Sequence, residues 1–299
     1  MSYDRRLTEE VRALARNEGA DLVGVAPVGR FEDVEPGCGP LEYMPLAKGI
    51  ISIAVHIPHG VCDIWGEPGE VGRSAGPYLL YGGGIANWEV SRISLLVARH
   101  LELAGYRSIC FPPAWKLSYY KNAHRKAEGV LVQDFPHQMA GVAAGLGELG
   151  LSGLCLTPEF GARQRLGSVL TDAPLVPDAP YAGPPLCRPH ECGRRCVEVC
   201  PTDALDADKA TGVRIDGREF PIAALDGVRC QYGLEGLVAG SGSRTRVEVP
   251  AGTGLWEHLS TAKGQRHPVD ALLLRDSHGA LVGNFCERCL HQCPAHGWE

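Results

Sequence analysis

The residues best placed to do chemistry in this chain of 299 residues are its cysteines, twelve in number and unevenly spread. Residues 1–186 hold Cys38, Cys62, Cys110 and Cys155; residues 187–299 hold Cys187, Cys192, Cys196, Cys200, Cys230, Cys286, Cys289 and Cys293. No secretory leader pattern precedes them, so the thiols are expected to stay reduced, and eight clustered cysteines point to metal rather than to disulfides. They form two runs. The first is Cys187-Arg-Pro-His-Glu-Cys192-Gly-Arg-Arg-Cys196-Val-Glu-Val-Cys200-Pro201, and the second is Cys286-Glu-Arg-Cys289-Leu-His-Gln-Cys293-Pro294. Both end in Cys-x3-Cys-Pro, the ending of iron–sulfur loops whose last cysteine ligates the other of two clusters. Such clusters need thiolates converging from a tightly turning loop, which the proline closes.

Counting ligands with this crossing rule gives two complete sets. Cys187, Cys192 and Cys196 take Cys293; Cys200 takes Cys286 and Cys289, with Cys230 the nearby cysteine left to complete it. The first run departs from the usual two-residue spacings, which leaves its first ligand open. Zinc is the competing reading, for which Cys286-x2-Cys289 alone would be fair support. Cys110 and Cys155 lie in apolar runs and read as small core residues. Cys38 and Cys62 sit in Gly/Pro-containing loops with no identifying spacing.

Positioning these thiols falls to two regions of different texture. The first reads as alternating helix and strand. Thr8 is a plausible N-cap for a helix bearing Val11, Leu14 and Ala15 and closing near Gly19. Strands follow at Asp21–Pro27, Ile50–Ile57 and Arg107–Phe111. The triplet Gly82-Gly83-Gly84 opens a long helix with Val90, Ile93, Leu96, Val97 and Leu101 on one face, ending at Gly105. A small-residue helix is expected from Pro136 to Leu149, then a final strand pair at 154–157 and 166–171. From Asp172 to Pro185 the chain is rich in Pro and Ala and reads as a linker. The expected fold class is α+β, with domains at 1–175 and 176–299, the second loop-rich and held largely by its metal.

Composition narrows the partners. Charged residues make up 21% and the formal net charge is −6, which argues against a protein built mainly to hold nucleic acid. A local basic cluster at Lys116, Lys121, His124, Arg125 and Lys126 reads as a solvated helix face. No apolar run approaches the ~20 residues of a membrane helix, and the expected location is cytoplasmic, with no membrane partner. The glycine triplet lacks the pattern of a nucleotide loop.

The segments Ala144-Gly-Leu-Gly-Glu-Leu-Gly, Leu156-Thr-Pro-Glu-Phe-Gly-Ala-Arg and Leu170-Thr-Asp-Ala-Pro-Leu, followed by the two cysteine runs, resemble the family of epoxyqueuosine reductases and reductive dehalogenases. The likeness extends loosely to Gly19–Ala26 and Ala47–Ala54. It implies a nitroreductase-like mixed-sheet domain that binds cobalamin, joined to a ferredoxin-like domain with two 4Fe-4S clusters passing electrons to the corrinoid. The wording around Thr157 is closer to that of the dehalogenases. Glu148, Leu151 and Ser152 stand where the queuosine enzymes usually carry Trp, Lys and Asn. The chain continues only six residues past Cys293, which is taken to leave no room for the helical repeats those enzymes use on transfer RNA.

The same resemblance nominates site residues. A proton donor is expected at Asp134, reached with a gap where the ungapped position is Leu131, or at Tyr120 beside Tyr119 and Lys121; a helix cap and plain aromatic packing are the bland alternatives. His137, Gly145, Gly147, Thr157, Gly161 and Arg163 are expected against the corrin, the glycines because a missing Cβ admits a broad ring. Arg165 could join Arg163 or form a surface ion pair, and Glu148 could face the cleft. The leading reading is a cobalamin-dependent iron–sulfur reductase acting on a small molecule, fed by an external donor such as a ferredoxin or flavodoxin, with nucleic acid an unlikely partner. The alternatives are an epoxyqueuosine-type reductase on a nucleoside or tRNA, and a non-enzymatic ferredoxin-like electron carrier.

Overall fold

The structure, a computed structural model, describes residues 3–31, 39–64, 77–113, 135–234 and 286–297. Cys38, the basic cluster at 116–126, Tyr119, Tyr120, Lys121, Leu131 and Asp134 lie outside the described residues. The chain opens on a helix, Arg5–Asn17, capped four residues earlier than expected. Asp4 accepts from the amide of Leu7 at 2.9 Å. Thr8 sits inside the helix, its hydroxyl donating back to the Asp4 carbonyl at 2.6 Å. A carboxylate at the cap is worth about 1 kcal/mol and also meets the positive end of the helix dipole.

Four strands form the main sheet: β1 (Leu22–Pro27), β2 (Gly49–His56), β3 (Ser108–Phe111) and, after the two-residue strands β4 (Glu148–Leu149) and β5 (Cys155–Leu156), β6 (Gln164–Thr171). Their order is β1-β2-β6-β3. All three pairings are antiparallel, which corrects the mixed sheet expected from the resemblance. The reason is the last strand. β6 inserts between β2 and β3, running against both, and so separates two strands that would otherwise pair in parallel.

Side-chain alternation divides this sheet between two helical layers. Ile51, Ile53 and Val169 face the helices Arg5–Asn17 and Ala86–Leu103, meeting Val11, Ala15, Val90, Ile93, Val97 and Leu101. Ala54 and Leu166 face the opposite side, against Val142, Ala143 and Ala144. The helix on that side, His137–Ala143, is half the expected length. Gly145 ends it with a φ of 79°, and the amides of Gly145 and Leu146 return to the carbonyls of Val142 and Gly141. This is a left-handed closure that glycine adopts without a Cβ penalty. The glycine triplet lies in a π-helical stretch, Tyr78–Ile85, that runs directly into the long helix Ala86–Leu103. Such stretches widen the helix and often accompany functional sites.

The Pro-rich segment is no loose tether at its start. Ala173 and Leu175 belong to the main core, and the Asp178 carboxylate accepts from Arg12 and from the Val25 amide, both at 2.8 Å. Beyond it, β7 (Leu205–Ile215) and β8 (Arg218–Leu225) form an antiparallel hairpin that the loop-rich reading missed. Its two-residue turn is Asp216-Gly217, with φ of 51° and 71°. That dipeptide is the strongest short-range hairpin signal, because the turn requires positive φ at both positions. Arg30 pairs with Asp216 at 3.2 Å, and Ile215 and Phe220 pack into the core beneath the helix His137–Ala143.

Candidate metal centre

All eight cysteines of the C-terminal region are free thiols, and the fold gathers them in two neighbourhoods. Burial pushes Cys196 up to about 12, and Cys293, Cys187 and Cys192 add to the shift. Cys293 is pushed up to about 11 by burial, opposed by the Ala295 amide and reinforced by Cys187 and Cys192. In the other group burial carries Cys230 to about 12, with Cys286 and Cys200 adding to it. Cys289 lies well above the ordinary thiol range through burial, then Cys286 and Cys230. These mutual effects link Cys196 and Cys293 to Cys187 and Cys192, and Cys230 to Cys200 and Cys286, while Cys289 feels Cys286, Cys230 and also Cys196.

Short elements deliver them. Cys196 rides the one-turn helix Arg195–Glu198, Cys230 the helix Gly227–Leu234, and Cys289 the one-turn helix Arg288–His291. Arg194, with a φ of 58°, makes the sharp entry to the first of these. Backbone amides point at the sulfurs: Leu151 donates to Cys187 Sγ and Ala204 to Cys200 Sγ, each at 3.2 Å. Amides also pull down the raised Cys196 and Cys286 thiols. Half-buried thiols that accept amide hydrogen bonds suit a polynuclear iron–sulfur group, whose potential both features tune. The donor set fits that group. Among the described residues no three His, Cys, Asp or Glu side chains converge on a single-ion position. A small cleft opens beside the first set, lined by Cys187, Cys192, Cys196 and Cys293 with Leu151 and Leu156.

Each set has a buried glutamate behind it. Glu148 on β4 accepts from the amides of Leu186 and Cys187 at 2.5 and 2.9 Å, fixing the turn into Cys187. Its other oxygen lies 3.6 Å from Arg218. Glu148 is thus a support for the cysteine loop, where the sequence had suggested a cleft residue. Glu287, next to Cys286, is gripped by both terminal nitrogens of Arg165 at 2.7 and 2.5 Å and accepts from the Tyr78 hydroxyl. Arg165 also donates to Tyr78 Oη and, through Nε, to the Gly82 carbonyl. Burial opposes charge on Arg165, but Glu287 and Tyr78 outweigh it and hold the guanidinium's pKa above its ordinary value. A surface ion pair was one of the two readings for this arginine; the pair it makes is largely out of water.

The six residues nominated for a corrin have protein around them. His137 is buried between Ser168 Oγ at 2.8 Å and the Pro112 carbonyl at 3.1 Å, and burial pushes its pKa down to about 4. A Cβ on Gly145 would stand 2.2 Å from the Ala179 carbonyl, one on Gly147 1.7 Å from that of Leu156, and one on Gly161 2.6 Å from the His296 amide. The backbone approaches are therefore to chain segments. Thr157 donates to Gln164 at 2.8 Å and accepts from the Phe160 amide. Arg163 pairs with Asp63 at 2.7 Å and donates to the His291 carbonyl at 2.9 Å. Each of these positions is thus engaged by protein atoms among the described residues.

Tyr78, Arg165 and Glu287 were not singled out together from sequence. The available signals were a charged residue between two paired cysteines and an arginine at the start of a strand. Neither says that they meet.

No family model matches the chain. A stretch of 96 residues is 38% identical to tetrachloroethene reductive dehalogenase of Desulfitobacterium hafniense, covering 31% of this chain and 16% of that protein. The enzyme of the same name from Sulfurospirillum multivorans is 42% identical over 66 residues, 21% of this chain and 13% of that one. Epoxyqueuosine reductase of Bacillus anthracis is 24% identical over 222 residues, covering 67% of this chain and 52% of the relative. The chain spans about half or less of the length of these relatives. Among solved structures, epoxyqueuosine reductase from Streptococcus thermophilus matches 97% of this chain and 66% of its own at TM-score 0.52 and 16% identity. A reductive dehalogenase structure, described as suggesting a mechanism for B12-dependent dehalogenation, matches 95% of this chain and 37% of its own, at TM-score 0.52 and 19% identity. At such identities the likeness establishes a shared α+β fold.

Proposed function

For a chain homologous to both the reductive dehalogenases and the epoxyqueuosine reductases, we propose a reductase whose eight C-terminal thiols hold two 4Fe-4S clusters. What supports this reading is the pair of Cys-x3-Cys-Pro runs, with amide donors on Cys187 and Cys200 Sγ and the carboxylates of Glu148 and Glu287 beside the thiols. The clusters would supply one-electron transfer. This chain's part is to hold the thiolates, screen them from water and bring the second group against the sheet. The proposed domains are 1–175 and 176–299, with Asp178, Ile215 and Phe220 of the second packed against the first.

Cobalamin as electron acceptor rests on the relatives, one of which is described through B12-dependent dehalogenation. Among the described residues no helix is long and apolar enough to cross a membrane; the cytoplasm, where thiols stay reduced, is the proposed compartment. An external one-electron protein donor completes the proposal.

The expectation against nucleic acid loses its force here. Sequence matches over two thirds of this chain are to epoxyqueuosine reductases, so a modified nucleoside, free or in tRNA, stands level with a small halogenated molecule as substrate. Anaerobic iron, sulfide and cobalt analysis tests the cofactors: about eight irons are expected, and stoichiometric zinc would overturn the reading. Parallel anaerobic assays with halogenated compounds and with epoxyqueuosine-bearing RNA assign the substrate class. Eight irons with no retention of hydroxocobalamin and no turnover of either class would favour the electron carrier.

A further inference from the structure

Three alternate residues leading into β6 each touch the C-terminal cysteine run at one point. Gly161 lies against the backbone of Ala295 and His296, where a Cβ would come within 3.0 Å of both. Arg163 donates to the carbonyl of His291 at 2.9 Å. Arg165 grips Glu287 with both terminal nitrogens. The two-residue step along one segment matches the four- and five-residue steps along the other, because a single turn of helix, Arg288–His291, climbs about as far as two residues of extended chain.

We propose that this stretch is the seat of the C-terminal cysteine run, and that the Arg165–Glu287 pair sets the charge felt by the second thiol group. The inference rests on the cluster reading above. The side chains of Arg165 and Glu287 are 7% and 12% exposed, so their charges are poorly screened, and Glu287 directly follows Cys286. In a low-dielectric setting each half of the pair acts strongly on a neighbouring redox group. A carboxylate beside it opposes the incoming electron and a guanidinium favours it. The two halves therefore act as positioning residues with opposite electrostatic signs.

The test is a redox titration, followed by paramagnetic resonance, of the anaerobically reconstituted full chain. Glu287→Gln keeps the side chain's shape and removes the negative charge; it is expected to raise one cluster's midpoint potential and leave the other's unchanged. Arg165→Gln is expected to lower the same midpoint. Arg165→Lys, which keeps the charge but not the two-pronged grip, is expected to restore a value near that of the wild type. Should Arg165→Gln fail to fold, Glu287→Gln and Arg165→Lys still decide. Equal shifts in both clusters, or none in either, would overturn the inference while leaving the cluster reading intact. A wild-type chain without iron would overturn both.

Discussion

The two cysteine groups stand on different foundations. Behind the first, Glu148 uses its carboxylate on two backbone amides, and its arginine partner, Arg218, is 43% exposed. Behind the second, Glu287 is bound to a guanidinium that is almost wholly out of water and reaches it from the middle of the protein. The first arrangement fixes the shape of a turn, a task that any well-placed acceptor oxygen could do. The second ties together two segments 122 residues apart in sequence, and neither partner can be removed without leaving the other charge buried. One group faces a cleft and is locally braced; the other is embedded and held by the fold as a whole.

That contrast can be broken in several ways. The largest effect is expected from the thiols themselves: Cys289→Ala and Cys192→Ala should each lose about half of the bound iron, from different clusters. Identical residual spectra in the two variants would erase the distinction between the groups. Next, Arg165→Ala should cost about 3–5 kcal/mol in a denaturant unfolding curve, as a broken buried ion pair does. A loss under ~1 kcal/mol would show Glu287 to be solvated after all.

Acidification supplies a reference outside both groups. His137 has a folded pKa of about 4 against 6.5 unfolded, because its burial disfavours the charged ring. A lowered histidine pKa leaves its full stability above the unfolded value and loses it as pH falls from 6.5 toward 4, by up to about 3 kcal/mol at 1.36 per unit. Replacement by Gln should flatten that part of the stability profile; an unchanged profile would mean that other groups control it. The milder support should respond least. Glu148→Ala is expected to cost about 2 kcal/mol by stranding two amides, and Glu148→Gln, which keeps an acceptor, under ~1 kcal/mol. If Glu148→Gln proved as damaging as Arg165→Ala, the first foundation would also depend on charge.

Much of this architecture was legible because it is local. β1, β2 and β6 stand close to where β-branched runs ended by Pro or bounded by polar residues place them. The closing of the first helix at Gly19 follows from a positive φ that suits glycine. Misreadings came where two local signals competed. Asp4 and Thr8 both suit a cap, and only the Leu7 amide decides for Asp4. The Ala- and Gly-rich stretch after Pro136 has the composition of a packed helix, yet the chain turns back after Ala143 through a positive φ at Gly145, where the Ala179 carbonyl leaves no room for a Cβ. Asp216-Gly217 is a hairpin signal within the sequence, and the loop-rich reading passed over it.

What the sequence by itself determined is the chemistry on offer: eight thiols, their spacing, the prolines that end each run, and a chain whose apolar periods make an α+β sheet. Those depend on residue type and near neighbours, which a linear reading contains. Only the tertiary structure decided which groups face one another. Insertion of β6 between β2 and β3 carries Arg163 and Arg165 beneath the last cysteine run. It also gives Gly161 a neighbour in His296 in place of open space. A buried charge needs its partner's exact distance to be tolerated, and distance between residues remote in sequence is a property of the packed fold.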